Sequence, residues 1–319
     1  MALKTPTSST HSRRTAGEGR MAALLLSPTL LVLLLVVAYP LVSAVHQSLY
    51  SSASGVDDSG FVVEGDKFVG LSNYLSLFQG DAGARFLNAL GNTTMFTVVS
   101  VTLETLLGLA LALSMNRAFR GRAFLRASIL VPWAIPTAVS GLLWRWIFQS
   151  QGIANHLIGS TILWTSEGVA AQCAVIIAEV WKTAPFIGLL ALAGMQIIPA
   201  EVYEAAKIDG ASRWRQLTHI TLPLIKPALL VAVLFRMLDA LRMFDLPYVL
   251  IGPGKRSVET LSMLAWDEAN QLQYGTASAY SVVLFLFVAL VAFTFVRLLG
   301  ADVVGDQKPA RRTRKEATK

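Results

Sequence analysis

Residues 22–44, AALLLSPTLLVLLLVVAYPLVSA, contain no charged side chain. As an α-helix rising about 1.5 Å per residue, a stretch of this length crosses the roughly 30 Å hydrocarbon core of a bilayer. A secretory leader is the competing reading, because Val42-Ser43-Ala44 resembles a cleavage site behind a basic head. The apolar core of a leader runs about 7–15 residues, shorter than this one, so the stretch reads as a true span. Five more apolar runs follow at residues 93–115, 124–148, 169–194, 224–250 and 277–300. Six such runs predict an all-α, polytopic membrane protein.

The composition agrees. Of 319 residues, 54% are hydrophobic and 15% charged, against about a quarter charged in soluble domains, and the mean hydropathy is +0.55. Six spans leave only loops and tails, too little for a large catalytic domain. The net charge of +7 does not indicate nucleic acid, because the basic residues cluster between the apolar runs without interleaved aromatics. Eighteen Lys and Arg lie in the head (Lys4, Arg13, Arg14, Arg20), around residues 116–126 and 199–226, and in the tail; four lie in the alternate loops 45–92, 149–168 and 251–276. By the positive-inside rule both termini are cytoplasmic, as an even number of spans requires. The organisation read from this is a disordered cytoplasmic head at 1–20, a six-span membrane domain at 21–300, and a basic tail at 301–319 whose Arg311, Arg312, Arg314 and Lys315 can touch anionic lipid. Loop 45–92, with Asp57, Asp58, Glu64, Asp66 and Asp81 against Lys67 and Arg85, reads as a partly structured outer cap. Cys173 is the lone cysteine, and His11, His46, His156 and His219 have no ligand spacing, so neither a disulfide nor a metal centre is expected.

Between the fourth and fifth spans, residues 199–223 read as helix, turn and second helix. Pro199 can open the first helix, Glu204-Ala205-Ala206 favour it, Gly210 follows Asp209 as a C-terminal break, and Ser212 can cap the next. Pro223 is expected to end the amphipathic segment. The pattern Glu204-Ala205-Ala206, Gly210, Ile220 and Leu222-Pro223 resembles, without a gap, the EAA signature of ABC importer permeases. The likeness extends over nearly the whole chain to the carbohydrate-uptake branch, through Phe68-Val69-Gly70-Leu71-Ser72-Asn73-Tyr74, Asn92-Thr93, Gly121-Arg122-Ala123-Phe124-Leu125-Arg126, Phe244-Asp245 and Tyr274-Gly275. Within it the chain looks most like the permeases of actinobacterial trehalose importers. It departs from the family at Ile251-Gly252-Pro253-Gly254-Lys255, where a Thr-Gly-Gly-Gly-Pro stretch is common.

The resemblance implies a type I importer permease fold in a bacterial plasma membrane, and a chain that is not an enzyme. Its partners would be a second homologous permease, two copies of a cytoplasmic ATPase subunit that bind ATP and magnesium, and an extracytoplasmic, lipid-anchored substrate-binding protein. This chain itself would hold no cofactor: Gly254-Lys255 is followed by Arg256, not Ser or Thr, and is no phosphate loop. Residues 199–223 would be the knob that docks on the ATPase. The solute would be a sugar, trehalose first, with a maltose-type oligosaccharide or glycerol phosphate as alternatives.

Polar residues inside the spans are the candidates for the solute path. Arg236, Asp239, Arg242 and Asp245 alternate in sign every three residues, so neighbours can pair along one helix, yet nine residues turn the line by half a revolution and some members must face other helices or a cavity. Glu179 and Lys182 flank mid-depth in the fourth span and can pair, and Trp181 between them is a candidate platform for a sugar. Trp144, Arg145 and Trp146 read as an interfacial belt, and Glu104 as an interhelical packing contact. A membrane-embedded enzyme would need clustered acids or histidines that are missing here, and an ion-coupled transporter, in which Asp239 or Glu179 would titrate, would have a second repeat.

Overall fold

The computed structural model describes residues 16–56, 62–117 and 120–300. Lys4, Arg13, Arg14, Asp57, Asp58 and the tail 301–319 lie outside the described residues. The described residues open with α1 (Ala16–Leu33) and α2 (Tyr39–Gln47), joined by one π turn, Leu34–Ala38. There the Tyr39 amide reaches back five residues to the Leu34 carbonyl. Pro40 is the cause: it has no N–H to give, and its ring crowds the carbonyl four residues earlier, so the turn before it widens.

The segment expected to form an outer cap contains a hairpin of β1 (Tyr50–Val56) and β2 (Val62–Phe68), antiparallel with Tyr50 opposite Phe68, and then α3 (Ser72–Ser76). Asn73 donates to the carbonyls of Ser48 and Tyr50, both at 2.8 Å, and so ties the cap to the end of the first span. The next helix, α4 (Gly80–Met115), has 36 residues and begins well before the apolar run; at about 54 Å it outreaches a bilayer core.

The third span is broken. α5 (Arg122–Ala134) and α6 (Thr137–Ile147) meet at 94° around Ile135-Pro136. Ile135 precedes a proline and is driven to extended geometry, ψ 133°, which corrects the single helix expected over 124–148. After α7 (Ile153–Ile158) comes α8 (Val169–Gln196), the central helix of the bundle. Its Ala171, Ala174, Ala178, Gly188 and Ala191 are buried, and a Cβ on Gly108 of α4 would stand 2.8 Å from Ile187 Cβ. Small residues let these helices approach closely, which is how helices gain contact where lipid supplies no hydrophobic drive.

The segment between the fourth and fifth spans forms α9 (Ala200–Ile208), α10 (Arg213–Gln216) and a π turn, Leu217–Thr221, that runs directly into α11 (Leu222–Ala240). Pro223 therefore does not stop the segment. It repeats the Pro40 arrangement, with Leu222 N–H on the Leu217 carbonyl, and the helix continues through the widened turn. A further correction concerns the fifth span, which ends at Ala240; α12 (Asp245–Leu250) is a separate helix.

The segment beyond it, read as loop, contains α13 (Leu261–Asn270), packed on α14 (Tyr274–Phe295), whose last turn is a π turn at Val296–Gly300. This segment is a clamp. Asn92 donates to the carbonyls of Arg256 and Glu259, Gln172 donates to the carbonyl of Ser257, and Thr260 both caps α13 and donates to the Met243 carbonyl. Arg85 forks onto Glu259 at 2.6 and 3.0 Å and also reaches Asp267 at 2.7 Å.

Candidate functional site

The knuckle at 199–223 is built by local chemistry. Pro199, in extended geometry, is the N-cap of α9. At the other end Gly210 takes φ +73°, a conformation other residues avoid. That turn lets Gly210 N–H bond the Lys207 carbonyl at 3.1 Å and Ala211 N–H bond the Ala206 carbonyl at 2.9 Å. The pair of bonds is a Schellman ending, in which the acceptor residue and the left-handed residue stand four apart. Ala206 to Gly210 has that spacing, so half of the sequence signature is a helix-stop written in covalent geometry. Ala206 is also the one buried residue of α9.

Ser212 Oγ accepts from the Arg215 amide, capping α10, and Gln216 Nε2 donates to the Ala211 carbonyl at 2.9 Å. Tyr203 and the buried Thr221 share a hydroxyl hydrogen bond of 3.1 Å, which staples α9 to the π turn. Ile220 and Leu222 are half-buried beneath the knuckle and Pro223 is exposed. The outward face carries Glu204, Ala205, Asp209 and two bare apolar side chains, Ile208 at 86% exposure and Trp214 at 72%.

The second site lies among α4, α8 and α11. Arg236 turns inward from α11 and is nearly fully buried. Its Nε donates to Glu104 Oε2 at 2.8 Å, its Nη2 to Glu104 Oε1 at 3.2 Å and to Glu179 Oε1 at 2.8 Å, and its Nη1 to Asp239. Glu104 has no exposed surface, and the planar guanidinium satisfies both buried carboxylates at once, as an ammonium cannot. The expected pairing of Glu179 with Lys182 is not formed. Lys182 Nζ instead donates to the Ile135 carbonyl at 2.8 Å, the group set free by the break in the third span.

The sign-alternating line extends from Arg236 through Asp239 to Arg242, whose Nη2 lies 3.7 Å from Asp239. It stops there, because Asp245 stands on α12 beyond the break, and no ion pair joins Asp245 among the described residues. The line nevertheless encloses a polar cavity of about 140 Å³ lined by Glu179, Lys182, Arg236, Asp239, Arg242 and Asp245. Trp181 is not in that lining. Two residues past Glu179 it points away, edge-on to Trp144 at 5.5 Å, and Trp144 itself stacks on Phe148 and packs, partly buried, against the core. The aromatic walls are Trp133 and Phe244, which sequence reading passed over. The sequence signal for Trp133 was Pro136, beside which the third span breaks.

The closeness of this architecture to known proteins is now measurable. Residues 104–304 match the family model described as binding-protein-dependent transport system inner membrane component. The chain is similar to the trehalose/maltose transport system permease protein MalF of Thermococcus litoralis, 40% identical over 287 residues, which are 88% of this chain and 93% of that one. It is similar to the trehalose transport system permease protein SugA of Mycobacterium tuberculosis, 39% identical over 92% of this chain and 93% of that one. Its fold matches a chain of a bacterial alginate ABC transporter solved with its alginate pentasaccharide-bound periplasmic protein, at a TM-score of 0.74 and 21% identity, over 88% of this chain and 94% of that one. Five helices long and apolar enough to cross a membrane, six crossings if the bent α5–α6 pair counts as one, the EAA pattern seated on a preformed knuckle, and these likenesses make the chain a member of the binding-protein-dependent transport system inner membrane component family, an ABC importer permease subunit and not an enzyme.

Proposed function

We propose that this chain forms half of a path for a neutral disaccharide of the trehalose or maltose type, beside a second homologous permease. Two copies of a cytoplasmic ATPase subunit, which hold ATP and magnesium, grip the knuckle and move it as they close. Glu204 accepts charge-assisted hydrogen bonds from that subunit, Ala205 permits close approach, and Ala206, Asp209 and Gly210 keep the helix end rigid. Ile220, Leu222 and Pro223 carry the movement into α11. The observation that carries this reading is the knuckle's combination of a closed internal hydrogen-bond set with bare Ile208 and Trp214 on its outward face, the character of a docking surface. The excess of Lys and Arg on its side of the bilayer supports a cytoplasmic knuckle and cytoplasmic termini. The hairpin and the clamp then face an extracytoplasmic binding protein.

The cavity supports an uncharged solute. Its lining offers three acids, Glu179, Asp239 and Asp245, against three bases, Lys182, Arg236 and Arg242, and Glu104 behind Arg236 adds one more negative charge. A phosphate-bearing solute would be repelled, whereas sugar hydroxyls would find both donors and acceptors. The names of the two relatives agree with that class. Co-purification of the complex, then ATP-dependent uptake of trehalose, maltose and glycerol phosphate into proteoliposomes, tests the reading. Trehalose or maltose should accumulate and glycerol phosphate should not. Uptake that survives ATP depletion and collapses with an ion gradient would refute it.

A further inference from the structure

Between α13 and α14 lies an open groove of about 380 Å³, within the roughly 300–1,000 Å³ of small-ligand sites. Trp266, 48% exposed, and Tyr274, 44% exposed, supply aromatic surface, and Phe244 lines the groove as well. Ser262, Ser278 and Ser281 place hydroxyls in the lining. Ser278 donates to Gln47 Oε1, and Ser281 to the Ala277 carbonyl, while Ser262 makes no hydrogen bond among the described residues.

The platform is fixed before any ligand arrives. Trp266 meets Phe244 edge-on at 5.6 Å, and Phe244 stacks on Tyr248 at 4.9 Å. α13 is held at one end by the Thr260 cap and along its length by the Arg85–Asp267 pair. Phe244 also lines the charged cavity between α8 and α11, so the groove and the cavity share one wall. A pyranose has an apolar C–H face and a rim of hydroxyls; rigid aromatic surface suits the first and serine hydroxyls the second. An acyl chain would have no use for the hydroxyls.

We infer that the groove formed by Trp266, Tyr274, Phe244 and Ser262 is an outer binding subsite for one ring of a neutral sugar, from which the solute passes over Phe244 into the charged cavity. This rests on the sugar-uptake reading above. The test uses the full importer complex in proteoliposomes and a trehalose analogue carrying a diazirine, followed by peptide mapping. Label should fall on residues 261–281, be displaced by excess trehalose, drop about tenfold in Trp266→Ala and largely return in Trp266→Phe. Tyr274→Leu should lower it as well, and decides the matter if the Trp266→Ala complex does not assemble. Label confined to residues 232–250, label unaffected by either variant, or displacement by lipid but not by trehalose would overturn the subsite. A wild-type complex that transports trehalose yet leaves the groove unlabelled removes this inference alone; one that transports no sugar removes the reading beneath it.

Discussion

Replacing Arg236 by alanine should be the most damaging single change in the membrane core. The substitution strips the salt-bridging cation from Glu104, which is fully buried, and from Glu179, which is nearly so. Removing one partner of a buried pair costs about 3–5 kcal/mol, chiefly because the other charge is left without compensation. At about 1.4 kcal/mol per decade, the ratio of folded to unfolded protein falls by a factor of about 10² to more than 10³. Unfolding of the purified protein by increasing SDS fraction in mixed micelles, followed by tryptophan fluorescence, reads the change. Arg236→Lys should lie between alanine and wild type, because one ammonium cannot bridge two carboxylates and Asp239 in the fork geometry. The variant Arg236→Met combined with Glu104→Gln and Glu179→Gln should recover most of the loss, since it leaves no orphan charge. If Arg236→Ala unfolds within about 0.5 kcal/mol of wild type, or the triple variant is no better than the single one, the cluster does not hold these helices together in the way argued.

Three further outcomes follow from the geometry. Gly210→Pro cannot adopt φ +73°, and Glu204→Lys inverts the charge that the proposed docking would turn to the ATPase; both should insert normally but lose sugar uptake, with the ATPase no longer stimulated by loaded binding protein. Gly275→Ala would place a Cβ 1.9 Å from the Tyr50 carbonyl oxygen, forcing the hairpin off α14 at about 1–3 kcal/mol, which limited proteolysis of the hairpin should register as faster cleavage. Lys182→Met leaves the Ile135 carbonyl without its donor, a loss of about 1–3 kcal/mol that thermal aggregation of the detergent-solubilised protein should detect.

What sequence reading captured and what it missed divide along physical lines. The spans were legible because the bilayer imposes a length on uninterrupted apolar helix. The knuckle was legible because a Schellman ending, a serine cap and a proline start are local, each fixed by residues within five positions of one another. The 94° break was hidden: Pro132 and Pro136 stand only four apart inside an apolar run, and prolines are tolerated in membrane helices. α13 was read as loop because its polar face, with Asp267 and Glu268, disguised Leu261, Met263 and Leu264. Partner choice among the charges was beyond local reasoning. Arg236 is 132 residues from Glu104 and 57 from Glu179, and only the close approach of α4, α8 and α11 decides that Glu179 meets Arg236 while Lys182 turns to a carbonyl.

The placement of Arg236 also determines what a pull on the knuckle can move. The π turn before Pro223 is no loose joint: its backbone is hydrogen-bonded throughout, and Thr221 joins it to α9 through Tyr203 and to the Gln216 carbonyl. Above it Ile225 packs against Gly194 of α8, a Cβ on which would stand 3.0 Å from Ala228 Cβ. Arg236, fourteen residues beyond Leu222 and so about 21 Å along α11, forks onto α4 and α8. α11 is thus fastened at both ends, and tilting it alone would tear a buried ion cluster whose rupture costs more than sliding close-packed small residues past one another. If the knuckle is the handle we propose, the body that answers to it is the unit of α4, α8 and α11, and the charged cavity changes shape because Asp245 on α12 and Trp133 on α5 belong to neighbouring elements rather than to that unit.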